Sequence, residues 1–403
     1  MIRKNNINDL AIFGGDALFS QPKSTSNLLQ PDIDKFLSYS KIFFDKKQYT
    51  NNGPLVELLE ARLAEFHEVA HCVTFSTGFW GLILAIKSLA IEGRTEIIMP
   101  SLTYRRMADM AAWLNLKPRF CEVDAKSLAM TVETVAPCIN ENTAIILGVH
   151  PIVNCCDADA LTLLARENNI PILFDSVESV YESTDKGKVG GFGNAECFSL
   201  HACKLFNGFG GGYLTTNDKG LADRLSSLRS FGFVGSDQVA TQWGVNAKLN
   251  EMHAAMTLAS LDDIESQVAD NRSRYKTYKQ SLSSLSGIRL LEFDEEHKTA
   301  YKNIVIEVEK NWPLTRDQTI DILNAENILA RPHYYPALHR KSMRYDYVPA
   351  HLPLTDTLAE SYINLPCGQL VSNEDIIHIV DTLNFLSINA EKLKVRLEKG
   401  STL

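Results

Sequence analysis

In the stretch F-S-L-H-A-C-K-L-F-N-G-F-G-G-G-Y-L-T-T-N-D (198–218), a single lysine, Lys204, stands between an apolar run and a glycine-rich turn, after which a strand-like pattern resumes. Upstream, I-L-F (172–174) ends in Asp175, and V-T-F (73–75) runs into Ser76, Thr77 and Gly78, which open a helical pattern. An amine can form a Schiff base with a carbonyl, and a carboxylate can hold a proton on a ring nitrogen. Hydroxyls and unpaired amides at a helix N-terminus bind phosphate. Pyridoxal phosphate needs these three things from a protein. Each has a plainer reading by itself, since most lysines are solvated cations and most aspartates after strands are caps or turn residues. Their order and placement together carry the cofactor reading.

Such chemistry requires elements that bring three distant segments to one edge. Hydrophobic spacing predicts helices over 55–66, 81–90 and 158–168, and buried strands over 72–75, 96–99, 143–149, 170–174 and 197–200. This alternation marks a parallel sheet wrapped by helices, so the class is α/β. In such a sheet ligands gather at the carboxyl ends of the strands, where Thr77, Asp175 and Lys204 fall. A long helix over 252–285 then leads to a strand over 301–308, a helix over 316–326 and a closing helix from 374, which read as a smaller C-terminal α+β domain. The expected organisation is an N-terminal segment (1–30) packing on the body, a large cofactor-binding domain (31–255), a connecting helix (256–285) and a small domain (286–403).

Composition narrows the function. The 403 residues are 45% hydrophobic and carry a formal net charge of -9 with acids and bases mixed, which offers no basic footprint for nucleic acid or anionic lipid. No run is long and apolar enough to span a bilayer and the first residues lack a secretory pattern, so the expected address is cytoplasmic. The eight cysteines are scattered, without a C-x-x-C pair, which fits reduced, mostly buried thiols.

Seven segments carry a resemblance. Y-T-N-N-G-P-L-V-E-L-L-E (49–60), F-S-T-G (75–78), P-S-L-T-Y (100–104), F-D-S-V-E (174–178), F-S-L-H-A-C-K (198–204), N-A-K-L-N-E-M-H-A-A-M (246–256) and A-R-P-H-Y-Y-P-A-L-H (330–339) fall in the order found in the DegT/DnrJ-type sugar aminotransferases. The chain resembles that family from about Leu10 through the C-terminal region. The resemblance implies the fold-type-I architecture of pyridoxal-phosphate enzymes: a mostly parallel seven-stranded sheet flanked by helices, with a smaller C-terminal domain. It also implies residue roles. Lys204 would carry pyridoxal 5'-phosphate as a Schiff base and act as general base, and Asp175 would keep the ring nitrogen protonated. Thr77, Gly78 and Ser199 would bind the phosphate and Tyr104 would stack on the ring. Asn246 would reach the phosphate of a neighbouring subunit, which implies a homodimer with shared sites.

Some positions depart from the family pattern. Glu178 stands where the family usually has glutamine or histidine facing the cofactor's phenolic oxygen; an anion there would repel the phenolate unless protonated or turned away, and the plain alternative is a surface glutamate. Gly210 replaces a glutamate and is expected to leave room, and the loop H-P-I-V-N-C-C-D (150–157) is rewritten. Arg105 and Arg106 suit an anionic substrate or are solvated helix-start residues. Other motifs read as structural. His67-Glu68-Val69-Ala70-His71 matches a zinc-protease pattern but sits at a helix-to-strand junction, so no metal is expected. The glycine runs at 190–193 and 208–212 read as tight turns, Cys203 as a small buried thiol, and His201 and His253 as structural histidines.

The expected activity is transfer of an amino group from L-glutamate to the keto group of a nucleotide-linked sugar. Two readings stand beside it: a pyridoxal-phosphate enzyme acting on an amino acid or non-sugar ketone, and a non-catalytic cofactor-binding relative.

Overall fold

The computed structural model describes residues 4–26, 29–235, 238–239 and 241–400. Its centre is a seven-stranded sheet of β1 (His71–Phe75), β2 (Glu96–Pro100), β3 (Lys117–Cys121), β4 (Thr143–Val149), β5 (Ile172–Asp175), β6 (Ala195–Ser199) and β7 (Gly212–Thr216). The strand order is β1-β7-β6-β5-β4-β2-β3. Only β7 runs antiparallel to its neighbours. Every residue of β2, β4, β5 and β7 is buried, as expected of strands covered on both faces.

Side-chain alternation divides the core in two. Val73, Ile97, Ile145, Leu173, Cys197 and Leu214 point to one face, where they pack with helices α3 (Gly78–Leu89) and α5 (Lys219–Leu228). Their neighbours Cys72, Ile98, Ile146, Ile172, Phe174, Phe198 and Tyr213 point to the other face, toward α2 (Pro54–His67), α4 (Ala158–Glu167) and the C-terminal part. Side-chain caps fix where helices begin: Thr77 for α3, Asp157 for α4 and Asp218 for α5 each accept a first-turn amide.

The predicted 252–285 helix is two helices, α6 (Glu251–Leu261) and α7 (Ile264–Leu282). At the break, Asp262 pairs with Arg62 at 2.6 Å and Asp263 with Lys35, tying the junction to α2 and to α1 (Ile33–Lys46). The smaller sheet follows, antiparallel throughout: β8 (Ile288–Leu290), β9 (Ile304–Val308), β10 (Arg331–Pro332) and β11 (Tyr362–Leu365), in the order β8-β9-β11-β10. Strand β9 starts later than the predicted 301, because Tyr301 adopts a left-handed backbone (φ 48°). Buried Glu326 gathers the N-terminal segment, accepting the amides of Ala11 and Leu18 at 2.7 Å each and pairing with Lys4 at 2.9 Å. No described helix is long and apolar enough to cross a membrane.

Candidate active site

Strands β5 and β6 lie parallel and in register, with Asp175 opposite Cys197, so their carboxyl ends open on the same edge. Beyond β6 the chain turns, with the Lys204 amide donating to His201 O at 2.9 Å, and this returns Lys204 to the electrostatic neighbourhood of Asp175. Asp175 is buried and accepts the Val177 amide at 3.1 Å. Burial pushes its carboxyl up to about 6, against the opposing pull of that amide and of Lys204.

Lys204 Nζ lies 2.5 Å from Glu178 Oε1. The other oxygen of Glu178 accepts Lys302 Nζ at 2.6 Å and Asn303 Nδ2 at 3.2 Å. Burial alone would raise the Glu178 carboxyl, but the two ammonium groups outweigh it and hold it well below the usual carboxylate range. Burial would likewise lower the Lys204 amine; Glu178 outweighs it and the amine is held above its ordinary value. Glu178 is therefore ionised and turned toward Lys204. The reading of Glu178 as a surface glutamate is thereby corrected: its side chain is mostly buried and paired with two lysines.

At the other end of the site, Thr77 caps α3 by accepting the Trp80 amide at 3.2 Å, and its side chain is exposed. The start of α3 is pressed onto the strand ends. A Cβ on Gly78 would lie 2.9 Å from Phe198 O, and one on Gly212 would lie 2.2 Å from Gly78 N. Glycine at both places lets the first-turn amides, which have no intrahelical partner, approach the end of β6, where Ser199 stands. Ser199 Oγ accepts the His201 amide at 3.2 Å.

The structure thus brings Asp175, Glu178 and Lys204 into one cluster, with Thr77, Gly78 and Ser199 at adjoining strand ends. Tyr104 is half exposed and joins through Tyr334, whose hydroxyl feels Glu178, Asp175 and Tyr104. Asn246 is exposed on the segment whose next residue, Ala247, accepts the Ser76 amide at 2.7 Å. It is not part of the Lys204 cluster.

Four residues at the site escaped the sequence reading: Lys302, Asn303, His333 and Tyr334. Buried His333 pairs through Nδ1 with Asn364 Oδ1 at 3.1 Å, and burial lowers it to about 4. Tyr334 adopts φ 47°, uncommon for a bulky residue. The H-Y-Y-P run was a visible signal for the last two, whereas T-A-Y-K-N (299–303) has no pattern that marks it.

The remaining motifs have structural partners. His67 Nδ1 lies 2.6 Å from Val189 O and Nε2 lies 2.9 Å from Tyr213 Oη, and the helix ends there, with Glu68 left-handed. Arg106 pairs with Asp109 at 3.1 Å. Gly210 does not leave open room, since a Cβ there would lie 3.3 Å from His253 Cε1. Cys203 is only partly buried, 3.2 Å from His201 Nδ1. Asn154, Cys155, Cys156 and Asp157 of the rewritten loop line a separate cavity of about 360 Å³ with Glu182 and Asp294, and none of the predicted site residues lines it.

The chain is similar to the dTDP-4-amino-4,6-dideoxy-D-glucose transaminase of Shigella dysenteriae, 29% identical over 308 residues that span 76% of this chain and 83% of that protein. It is 28% identical over 361 residues to the GDP-perosamine synthase of Escherichia coli O157:H7, spanning 88% of this chain and 96% of that protein. Its fold matches a crystal structure of DesI obtained in the presence of its TDP-sugar product, with a TM-score of 0.90 and 30% identity over 98% of this chain and 100% of that one. The model of the DegT/DnrJ/EryC1/StrS aminotransferase family matches residues 33–384. With the sheet order, the Asp175–Lys204 edge and the family match in agreement, the chain belongs to the DegT/DnrJ/EryC1/StrS aminotransferase family and is a pyridoxal-phosphate-dependent aminotransferase.

Proposed function

We propose that Lys204 carries pyridoxal 5'-phosphate as a Schiff base and that the protein transfers an amino group from L-glutamate to the keto group of a nucleotide-linked sugar. The observation that carries this reading is the meeting of Asp175 and Lys204 at one sheet edge, beside the open first turn of α3. The donor set fits the group. A cationic amine stands beside a buried carboxylate, and capped helix amides stand behind glycines whose Cβ atoms would fill the approach.

Bound pyridoxal phosphate supplies an electrophilic carbonyl and a ring that accepts electrons. The rest falls to the chain. Lys204 would hold the group and, once free, would move a proton at the substrate carbon. Asp175, buried at the end of β5, would keep a proton on the ring nitrogen. Thr77, Gly78 and Ser199 bind the phosphate, helped by the positive end of α3. Tyr104 covers the ring. The sugar and nucleotide class follows the names of the relatives above.

Asn246 acts across a homodimer, reaching the phosphate of the second copy. Exposed Phe231, Phe233, Val234, Val239 and Trp243 on the same segment support a face covered by that copy. The test is a half-reaction: purified protein with L-glutamate and no acceptor should release 2-oxoglutarate. Release of a keto acid from glutamine or alanine, and none from glutamate, would overturn the donor assignment.

A further inference from the structure

The Lys204 cluster contains a second amine that the transfer reaction does not call for. Lys302 reaches Glu178 Oε2 at 2.6 Å with only 7% of its side chain exposed, while Glu178 reaches Lys204 with its other oxygen. Lys302 and Asn303 lie just before β9, so they come from the C-terminal part and cross to a loop that follows β5. A second carboxylate on that loop, Glu182, holds the same segment in place, accepting Thr299 Oγ1 at 2.9 Å and the Ala300 amide at 3.0 Å. Between these anchors Tyr301 takes the left-handed turn (φ 48°) that precedes Lys302. Backbone of this kind persists where surrounding contacts enforce it.

We propose that Lys302 is a positioning residue for Lys204: it neutralises Glu178 from behind and keeps that carboxylate aimed at the Lys204 nitrogen, so that an ion pair does the work for which the family pattern uses a neutral side chain. This rests on the reading of Lys204 as the cofactor lysine. A lone carboxylate at 178 would face the cofactor's phenolic oxygen with an unbalanced charge; paired with Lys302 it presents no net charge while still accepting from Lys204. The groups that face Glu178 are Asp175 at the end of β5, Lys204, Lys302 with Asn303, His333 and Tyr334 directly after β10, and Cys367 after β11. Of these, Lys204 and Lys302 are the cations in contact with the carboxylate.

The experiment is a pH titration of the visible absorption of the holoenzyme, which reads the proton on the Lys204–cofactor nitrogen directly. Glu178→Gln removes the anion that favours this proton and should lower the transition by about one pH unit. Lys302→Met removes the opposing cation and should raise it. The double variant removes both charges and should return close to wild type, and Lys302→Arg should match wild type. Because the double variant removes one anion and one cation together and leaves no unpaired carboxylate at 178, it carries the test even if Lys302→Met does not fold. A double variant that titrates like Glu178→Gln, or a folded Lys302→Met that titrates like wild type, overturns the proposal. If wild type shows no pH-dependent visible band that Lys204→Ala abolishes, the reading of Lys204 fails instead.

Discussion

Glu182 accepts a hydrogen bond from Thr299 Oγ1 at 2.9 Å, joining the loop after β5 to the segment that enters the small sheet. The carboxyl is buried, and burial raises it to about 7 in spite of the Ala300 amide and the Thr299 hydroxyl. A carboxyl raised on folding contributes stability that is full below its ordinary value near 4.5 and is lost as pH climbs through about 7. Glu182→Gln keeps an acceptor for both donors and cannot ionise. The difference in unfolding free energy between variant and wild type should therefore move in the variant's favour between pH 4.5 and 8, by on the order of 3 kcal/mol. Urea titrations at both pH values measure it.

Gly212→Ala should be disruptive, because its Cβ would meet backbone on two sides: Gly78 N at 2.2 Å and Phe198 O at 2.8 Å. Neither can swing away as a side-chain tip would. The expected cost is about 1–3 kcal/mol of stability, together with weaker cofactor binding as α3 is displaced. Denaturant titration and cofactor titration of the same samples check both parts.

Asp175→Asn should separate binding from turnover. Asparagine can still occupy the buried position but cannot hold a proton on a ring nitrogen, so kcat should fall at least about 10²-fold while the visible band of the bound cofactor persists. Stopped-flow half-reactions give the rate and the spectrum gives occupancy.

A site shared between two copies predicts complementation. Lys204→Ala and Asn246→Asp should each be inactive alone. When mixed in equal amounts and allowed to exchange, they should recover about one quarter of wild-type activity, since half the dimers are mixed and each carries one intact site. No recovery under conditions where exchange is demonstrated by mass would place Asn246 outside the site.

The large sheet was legible because its parallel strands are unbroken apolar runs with post-strand residues that stand out, as Asp175 does after Ile172–Phe174. Strand β3 was not, since K-P-R-F-C (117–121) lacks an apolar run and Arg119 is held there by Glu96 at 2.6 Å. The α6–α7 break was hidden because Asp262 and Asp263 fit a polar helix face, and their pairing with Arg62 and Lys35, 200 and 228 residues upstream, has no local signal. Local pattern placed Asp175 and Lys204, and resemblance supplied Glu178 as a position. The state of Glu178 depended on Lys302, 124 residues away, and no local signal reports such a pairing.

The most direct test of the account is the visible spectrum of the purified protein before and after L-glutamate, with Lys204→Ala alongside. The account predicts a band in wild type that glutamate bleaches and 2-oxoglutarate restores, absent from the alanine variant. A wild-type protein that shows no band after addition of pyridoxal phosphate, or an alanine variant with the same band, would contradict the assignment of Lys204.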